Sequence, residues 1–321
     1  MKLNKILICT LIMIWGSIAI TAQSKSSDLE IFNHSFQLGG TRSSEKQFFI
    51  YNTEVKSFNS DGTIAGKDNY ILYLKYTPAE KTGEAFYECS RFEVRTNDTI
   101  TKTIPSLAGW NYHLIPEGTG QDKNYQVFGI DHKKFENLVD QNHISFPPEK
   151  MYLIYNSFID FHGFCNVFAE ANDGQKGIQD LHKIGDKVVH YSSHSKPPVN
   201  LGTSIKDGSY FENGEVTLEL MGLSKVNEKE TAIIHYDAGE SSFKMIMEPM
   251  PNITINTFGR SHYFGDIFID LNTEWVQKVT MAEIVISKTK LPFPPNEINS
   301  VIERNCRILN VSKMVYEKQI K

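Results

Sequence analysis

Asp160 and His162 stand two apart in the aromatic run FIDFHGF, Phe158 to Phe164. On one face of an extended strand, a carboxylate and an imidazole at that spacing can share a proton or a metal ion. Polar groups set among apolar neighbours are costly to bury without partners. More histidines follow at His182, His190 and His194, but Lys196-Pro197-Pro198 directly after HYSSH argues for a loop, not the helical turn that would align His190 with His194. No HExxH or HxH occurs, and Cys89, Cys165 and Cys306 are too widely spaced for a CxxC zinc or redox motif. These histidines are therefore read as structural or solvent-facing, and neither a metal nor a cofactor is expected. GxSxG, GxxxxGK[ST] and GxGxxG are absent too, which speaks against a serine-hydrolase elbow, a P-loop and a dinucleotide fingerprint.

Around the Asp160–His162 pair, Met151 to Phe168 (MYLIYNSFIDFHGFCNVF) concentrates Tyr152, Tyr155, Phe158, Phe161, Phe164 and Phe168. A ligand site combines a mainly apolar wall with a few polar groups that fix orientation. The segment, read as one strand or two, is therefore expected to border the main cavity, with Tyr155, Phe158, Asp160, Phe161 and His162 as the binding residues. Core packing accounts for the same aromatics.

Three further segments invite a comparison. RFEVR at Arg91 to Arg95, IIH at Ile233 to His235 and YFGDIF at Tyr263 to Phe268 resemble, in that order, the arginine-glutamate-arginine, histidine and tyrosine strands of jelly-roll alginate lyases. The likeness implies His235, Arg91, Arg95 and Tyr263 as catalytic residues of a glycan-degrading lyase. Asp160 with His162 would serve a hydrolase. The sequence departs from the lyase pattern where Ile233 replaces a glutamine, and it lacks the lysine and glycine spacing after the tyrosine. The match is too partial to name a family, and alternating charged faces on ordinary strands explain it.

The elements that must position these residues are strands. Glu215 to Met221 sorts Val216, Leu218 and Leu220 to one side; Asp68 to Thr77 does so with Tyr70, Leu72, Leu74 and Tyr76, and Ser242 to Glu248 with Phe243, Met245 and Met247. Glu84 to Arg95, Thr231 to Tyr236 and Asn252 to Thr257 are further β-rich runs, separated by turn formers such as SDG at Ser60 to Gly62 and KDG at Lys206 to Gly208. Ser261 to Asp270 and Trp275 to Ile286 form the strongest hairpin pattern, expected to bury Val276, Ala282, Ile284 and Ile286 rather than Lys278 and Glu283. Gly265 is expected to mark a bulge or bend. Short helices are expected over His132 to Gln141 and Gln175 to Ile184.

The chain thus reads as all-β: one or two curved antiparallel sheets, half-barrel or sandwich-like, with few short helices. The expected segments are a signal at 1–22, an N-terminal β lobe at 23–172, a connection at 173–200 and a C-terminal β lobe at 201–321, the lobes potentially similar.

Export is expected from the first residues. Lys2 and Lys5 precede an apolar run from Ile6 to Ile20 and then Thr21-Ala22-Gln23, the order of a secretory signal cleaved after Ala22. No membrane span is expected after cleavage. The mature chain would carry 31 basic against 38 acidic residues, a balance of −7, which argues against general nucleic-acid binding. The full sequence's 40% hydrophobic and 12% aromatic content supports a folded core. In the periplasm or outside the cell, Cys89, Cys165 and Cys306 could supply one disulfide of open pairing or remain separate buried thiols. The functional expectation is a non-catalytic exported protein that binds an apolar molecule such as a lipid, a glycan, or another envelope protein. The alternative is a secreted glycan-degrading enzyme.

Overall fold

Period-two sorting of apolar side chains dominates the architecture. A computed structural model describes residues 34–79, 84–115, 127–196, 205–250 and 252–321. The signal segment, with Lys2, Lys5, Cys9 and the Ala22–Gln23 junction, lies outside the described residues. The described residues form thirteen strands in one sheet and two α-helices. In chain order these are β1 (Gln47–Phe58), β2 (Ile64–Thr77), β3 (Phe86–Thr96), β4 (Ile100–Thr103), β5 (Trp110–Tyr112), α1 (Pro148–His162), β6 (Lys187–Val189) and β7 (Tyr210–Glu212). There follow β8 (Thr217–Val226), β9 (Lys229–Asp237), β10 (Ser241–Met250), β11 (Ile253–Asp270), β12 (Val276–Lys290), β13 (Glu297–Asn310) and α2 (Lys313–Ile320).

The strands lie in the order β4-β3-β2-β1-β13-β12-β11-β9-β8-β6, and the sheet does not close. The pairings are antiparallel, so the chain is all-β with few helices, as its patterning implies. Strands from either side of the 173–200 stretch share this one sheet, with β1 lying between β2 and β13. β11 has β12 along one side and divides its other side between β10 and β9.

Val216, Leu218 and Leu220 are fully buried, as are Tyr70, Leu72 and Leu74. The opposite face of β2 is covered as well: Ile71 and Tyr73 pack under Tyr316 of α2. The predicted hairpin forms between β11 and β12 with Gly265 opposite Met281, and Val276 is buried as expected, but from Met281 to Ile286 the faces are reversed from expectation. The register shifts between Phe268 and Ile269, so that Val276 and Gln277 are both buried. Beyond the shift Val279, Met281 and Glu283 turn inward, while Ile284 and Ile286 are 53% and 59% exposed. Inward placement of Glu283 is tolerable because Arg304 and Ser261 hydrogen-bond it.

Gly265 marks no bulge, since the β11–β12 register runs evenly through it. Its bare backbone instead lets the Tyr236 hydroxyl reach across and donate to the Thr280 carbonyl at 2.9 Å. A Cβ there would come within 1.9 Å of that oxygen.

Met151 to Phe168 is helical, not extended: α1 covers Pro148–His162 and continues through a wider π turn, Gly163–Val167. Pro148 occupies the first helical turn, where its missing N–H is no loss. Met151, Ile154, Tyr155, Phe158, Phe161, Phe164, Cys165 and Phe168 recur at steps of three and four, which a helix gathers on one face. The two predicted helices shrink to single 3-10 turns, His132–Phe135 and Ile178–Asp180. Asn137, with φ of 58°, interrupts the first.

α1 and its π extension fill the inner face of the sheet. Phe158 stacks on Phe92 of β3, Phe161 meets Phe49 of β1, and Phe164 and Phe168 meet Tyr236 of β9. Strands near opposite edges of the sheet therefore pack on one helix and its extension. Cys89, Cys165 and Cys306 are unpaired and buried, so no disulfide joins them.

Candidate functional site

Two residues apart on a helix means about 200° of rotation, so Asp160 and His162 face opposite ways and share neither proton nor metal. His162 points into the core and is fully buried. Its Nε2 meets the Tyr112 hydroxyl at 2.8 Å and its Nδ1 meets Asn166 Oδ1 at 2.8 Å. Because the Asn166 amide nitrogen donates to Glu170, its oxygen accepts from His162, which fixes the Nδ1–H tautomer and leaves Nε2 to accept from Tyr112. Burial lowers the His162 pKa to about 4, so the ring is neutral. This is a structural network.

Asp160 looks the other way, onto the sheet. There a cross-strand row sets Tyr263 of β11 opposite Glu283 of β12, and Glu283 opposite Arg304 of β13. The Arg304 guanidinium lies between two carboxylates: Nη1 donates to Glu283 Oε2 at 2.5 Å, and Nη2 donates to Asp160 Oδ2. Tyr51 of β1 donates to Asp160 Oδ2 at 3.0 Å, Asn156 donates to Asp160 Oδ1 at 3.3 Å, and Ser261 donates to Glu283 Oε1 at 2.7 Å. Burial pushes the Asp160 carboxyl up, opposed by the Arg304 charge and reinforced by that of Glu283. For Arg304 burial works against the charged form, but the two carboxylates outweigh it and raise its pKa. Tyr51 is held neutral, as a donor, by burial and by Asp160.

This cluster borders a cavity of about 210 Å³ between α1, its π extension and the sheet. Rings of Phe128, Tyr152, Tyr155, Phe164, Phe168 and Tyr263 form much of the wall. Ser192, Ser195 and Asn213 add polar groups, with Asn213 accepting from the Tyr263 hydroxyl at 2.9 Å and donating to Ser195 at 2.8 Å. The Tyr155 hydroxyl and Arg304 Nε are buried without hydrogen-bond partners. The volume exceeds the roughly 150 Å³ that accommodates benzene and lies below the roughly 300 Å³ at which drug-sized pockets begin.

Of the five binding residues expected from sequence, Tyr155 and Asp160 line the cavity. Phe158, Phe161 and His162 sit on the core side of α1, fully buried. The four lyase-like residues do not converge. Arg91 and Arg95 pair with Glu93, and Arg91 reaches the Ile320 carbonyl of α2 on the far face of the sheet. His235 alternates with the buried Ile234 and Tyr236, so it faces away from the cavity, 2.9 Å from Asp266. Only Tyr263 of the four borders the cavity. Arg304 and Glu283 escaped the sequence reading, although Arg304 shares a period-two face with Ile302, Cys306 and Ile308 and so stands out as a charge on an apolar row.

Among the described residues no group of three or more His, Cys, Asp and Glu side chains is placed to hold a metal ion, and no helix is long and apolar enough to cross a membrane. No protein-family profile matches the chain, and no curated protein matches it. A solved structure described as "Asymmetric conductivity of engineered proteins" aligns at 7% identity over 83% of this chain and 99% of that chain, with a TM-score of 0.11. That score conveys no likeness of fold.

Proposed function

We propose that this protein is an exported, non-catalytic binding protein that takes a small, mainly apolar molecule between α1 and the inner face of its sheet. The observation carrying the proposal is the cavity itself: a largely aromatic wall with a few polar groups and one charged cluster, Asp160–Arg304–Glu283. That composition is typical of sites in which apolar area supplies affinity and a few fixed polar atoms orient the ligand. Export rests on the charged, apolar and small-residue order of the first 22 residues.

Titration calorimetry of the full chain with small aromatic probes tests the binding half, and saturable binding abolished by Phe164→Ala is the expected result. Absence of saturable binding for any such probe would remove the proposal. Amino-terminal sequencing of protein recovered outside the cytoplasm tests the other half: a chain beginning at Gln23 supports export, and one beginning at Met1 contradicts the cleavage.

A further inference from the structure

The charges of the polar cluster do not balance. All four carboxylate oxygens accept hydrogen bonds: those of Asp160 from Arg304, Tyr51 and Asn156, those of Glu283 from Ser261 and Arg304. The hydrogen bonds from Arg304 and Tyr51 favour the ionised form of Asp160, against the burial and the neighbouring Glu283 charge that push its carboxyl up. Among the described residues, Arg304 is the one cation within ion-pair distance of either group. Two negative charges therefore meet one positive charge in a site where Glu283 and Arg304 are each 7% exposed. An uncompensated charge at that depth is unfavourable, and a positive charge entering the cavity would relieve it.

Two other features point the same way. The wall presents rings of Phe128, Tyr152, Phe164 and Tyr263, whose π faces attract cations. Tyr155 lines the same cavity at 6% exposure, and its buried hydroxyl lacks a partner, leaving its oxygen free to accept from an N–H. Against them stands Arg304 Nε, a buried donor without an acceptor. An anionic ligand reaching that nitrogen would have to approach two fixed carboxylates.

We infer that the ligand of this cavity is a small organic cation: an ammonium group carried on an aromatic or similarly sized apolar body, its charge set against Asp160 and Glu283 and its body among the rings. The inference rests on the binding reading above and narrows it to a chemical class.

Three probes with related bodies separate the possibilities by titration calorimetry on the full chain near neutral pH: 2-phenylethylammonium, 2-phenylethanol and 3-phenylpropionate. The ammonium is expected to bind about tenfold or more tighter than the alcohol, with the carboxylate weakest. Glu283→Gln is expected to narrow the gap between ammonium and alcohol to about threefold or less, with folding followed by circular dichroism. Tyr155→Phe, which removes only the hydroxyl, should weaken the ammonium selectively and provides the same test if Glu283→Gln fails to fold. Should the alcohol or the carboxylate bind as tightly as the ammonium, the cation assignment is wrong while the binding site stands. Should none of the three bind, both fall.

Discussion

Arg304 and Glu283 face each other across neighbouring strands with 2.5 Å between Nη1 and Oε2, and the same guanidinium donates to Asp160 on the helix above them. One side chain from the centre of the sheet thus ties two strands to α1. Replacing Arg304 with Met would leave two buried carboxylates facing each other without a cation. A loss of about 3 to 5 kcal/mol in urea unfolding is expected. Glu283→Gln should be milder, because Arg304 and Asp160 still neutralise one another. A loss below about 1 kcal/mol for Arg304→Met would show that the cluster does not hold the helix.

Two buried histidines give the fold a pH limit. Burial lowers both His162 and His190 to about 4 from the ordinary imidazole value of about 6.5. The unfolded chain therefore binds protons first as pH falls, so the stability linked to each ring is complete above about 6.5 and is lost progressively between about 6.5 and 4. Each contributes up to about 3 kcal/mol across that window. Asp160 and Glu274, whose carboxyls burial pushes up, act in the opposite sense at the acidic end, since the folded state takes up their protons more readily. Urea midpoints measured from pH 7 to pH 5 should decline steadily, and a flat profile would count against neutral buried rings.

Phe161 separates packing from binding. It is fully buried, lies edge-on to Phe49 with centroids 5.0 Å apart, and does not line the cavity. Phe161→Ala should cost about 3 to 5 kcal/mol of stability. Probe affinity in the remaining folded protein should be little changed, in contrast to Phe164→Ala on the cavity wall. A large affinity loss at Phe161 with little destabilisation would reverse these roles.

Gly265→Ala should destabilise by about 1 to 3 kcal/mol or more, because the added methyl collides with the Thr280 carbonyl 1.9 Å away and with the Tyr236 hydroxyl 2.8 Å away. Thermal unfolding of the variant checks it. An unchanged midpoint would mean that β11 and β12 can separate at no cost.

All three thiols of the sheet and helix are unpaired and buried, and burial raises Cys165 to about 12. Iodoacetamide at pH 8 should leave the native protein unmodified. After denaturation without reductant, mass spectrometry should find alkylation at Cys89, Cys165 and Cys306. An adduct on the folded protein, or a thiol that stays blocked after unfolding, would contradict the buried free state.

The β architecture was legible because period-two alternation is local and survives without knowledge of neighbours, as at Val216, Leu218 and Leu220. Parity in the Trp275–Ile286 strand is not legible in the same way, because aliphatic Ile284 and Ile286 suggest an inner face that the fold leaves exposed. The inner face instead carries Glu283, acceptable only because Arg304, 21 residues on, neutralises it. The helix at Met151–Phe168 was missed although its three-and-four spacing was present. Aromatic density favours a strand and masks the competing helical period. Tyr155 and Asp160 stand out in the sequence as a hydroxyl and an acid in an aromatic run, but which side of the helix each faces, and so that both line the cavity, depends on the helical period. The lyase-like strands shared residue types without sharing a face of the sheet, a distinction that lives in register.

The pairing of β1 with β13 sets when this protein can finish folding. Phe49 is bonded beside Asn310, 261 positions further along the chain, at the middle of the strand order. Contacts of such sequence separation form slowly, since a long loop must be ordered before they are rewarded. On a ribosome the sheet's centre cannot be completed until its last strand has emerged, and the Asp160–Arg304 tie waits for the same event.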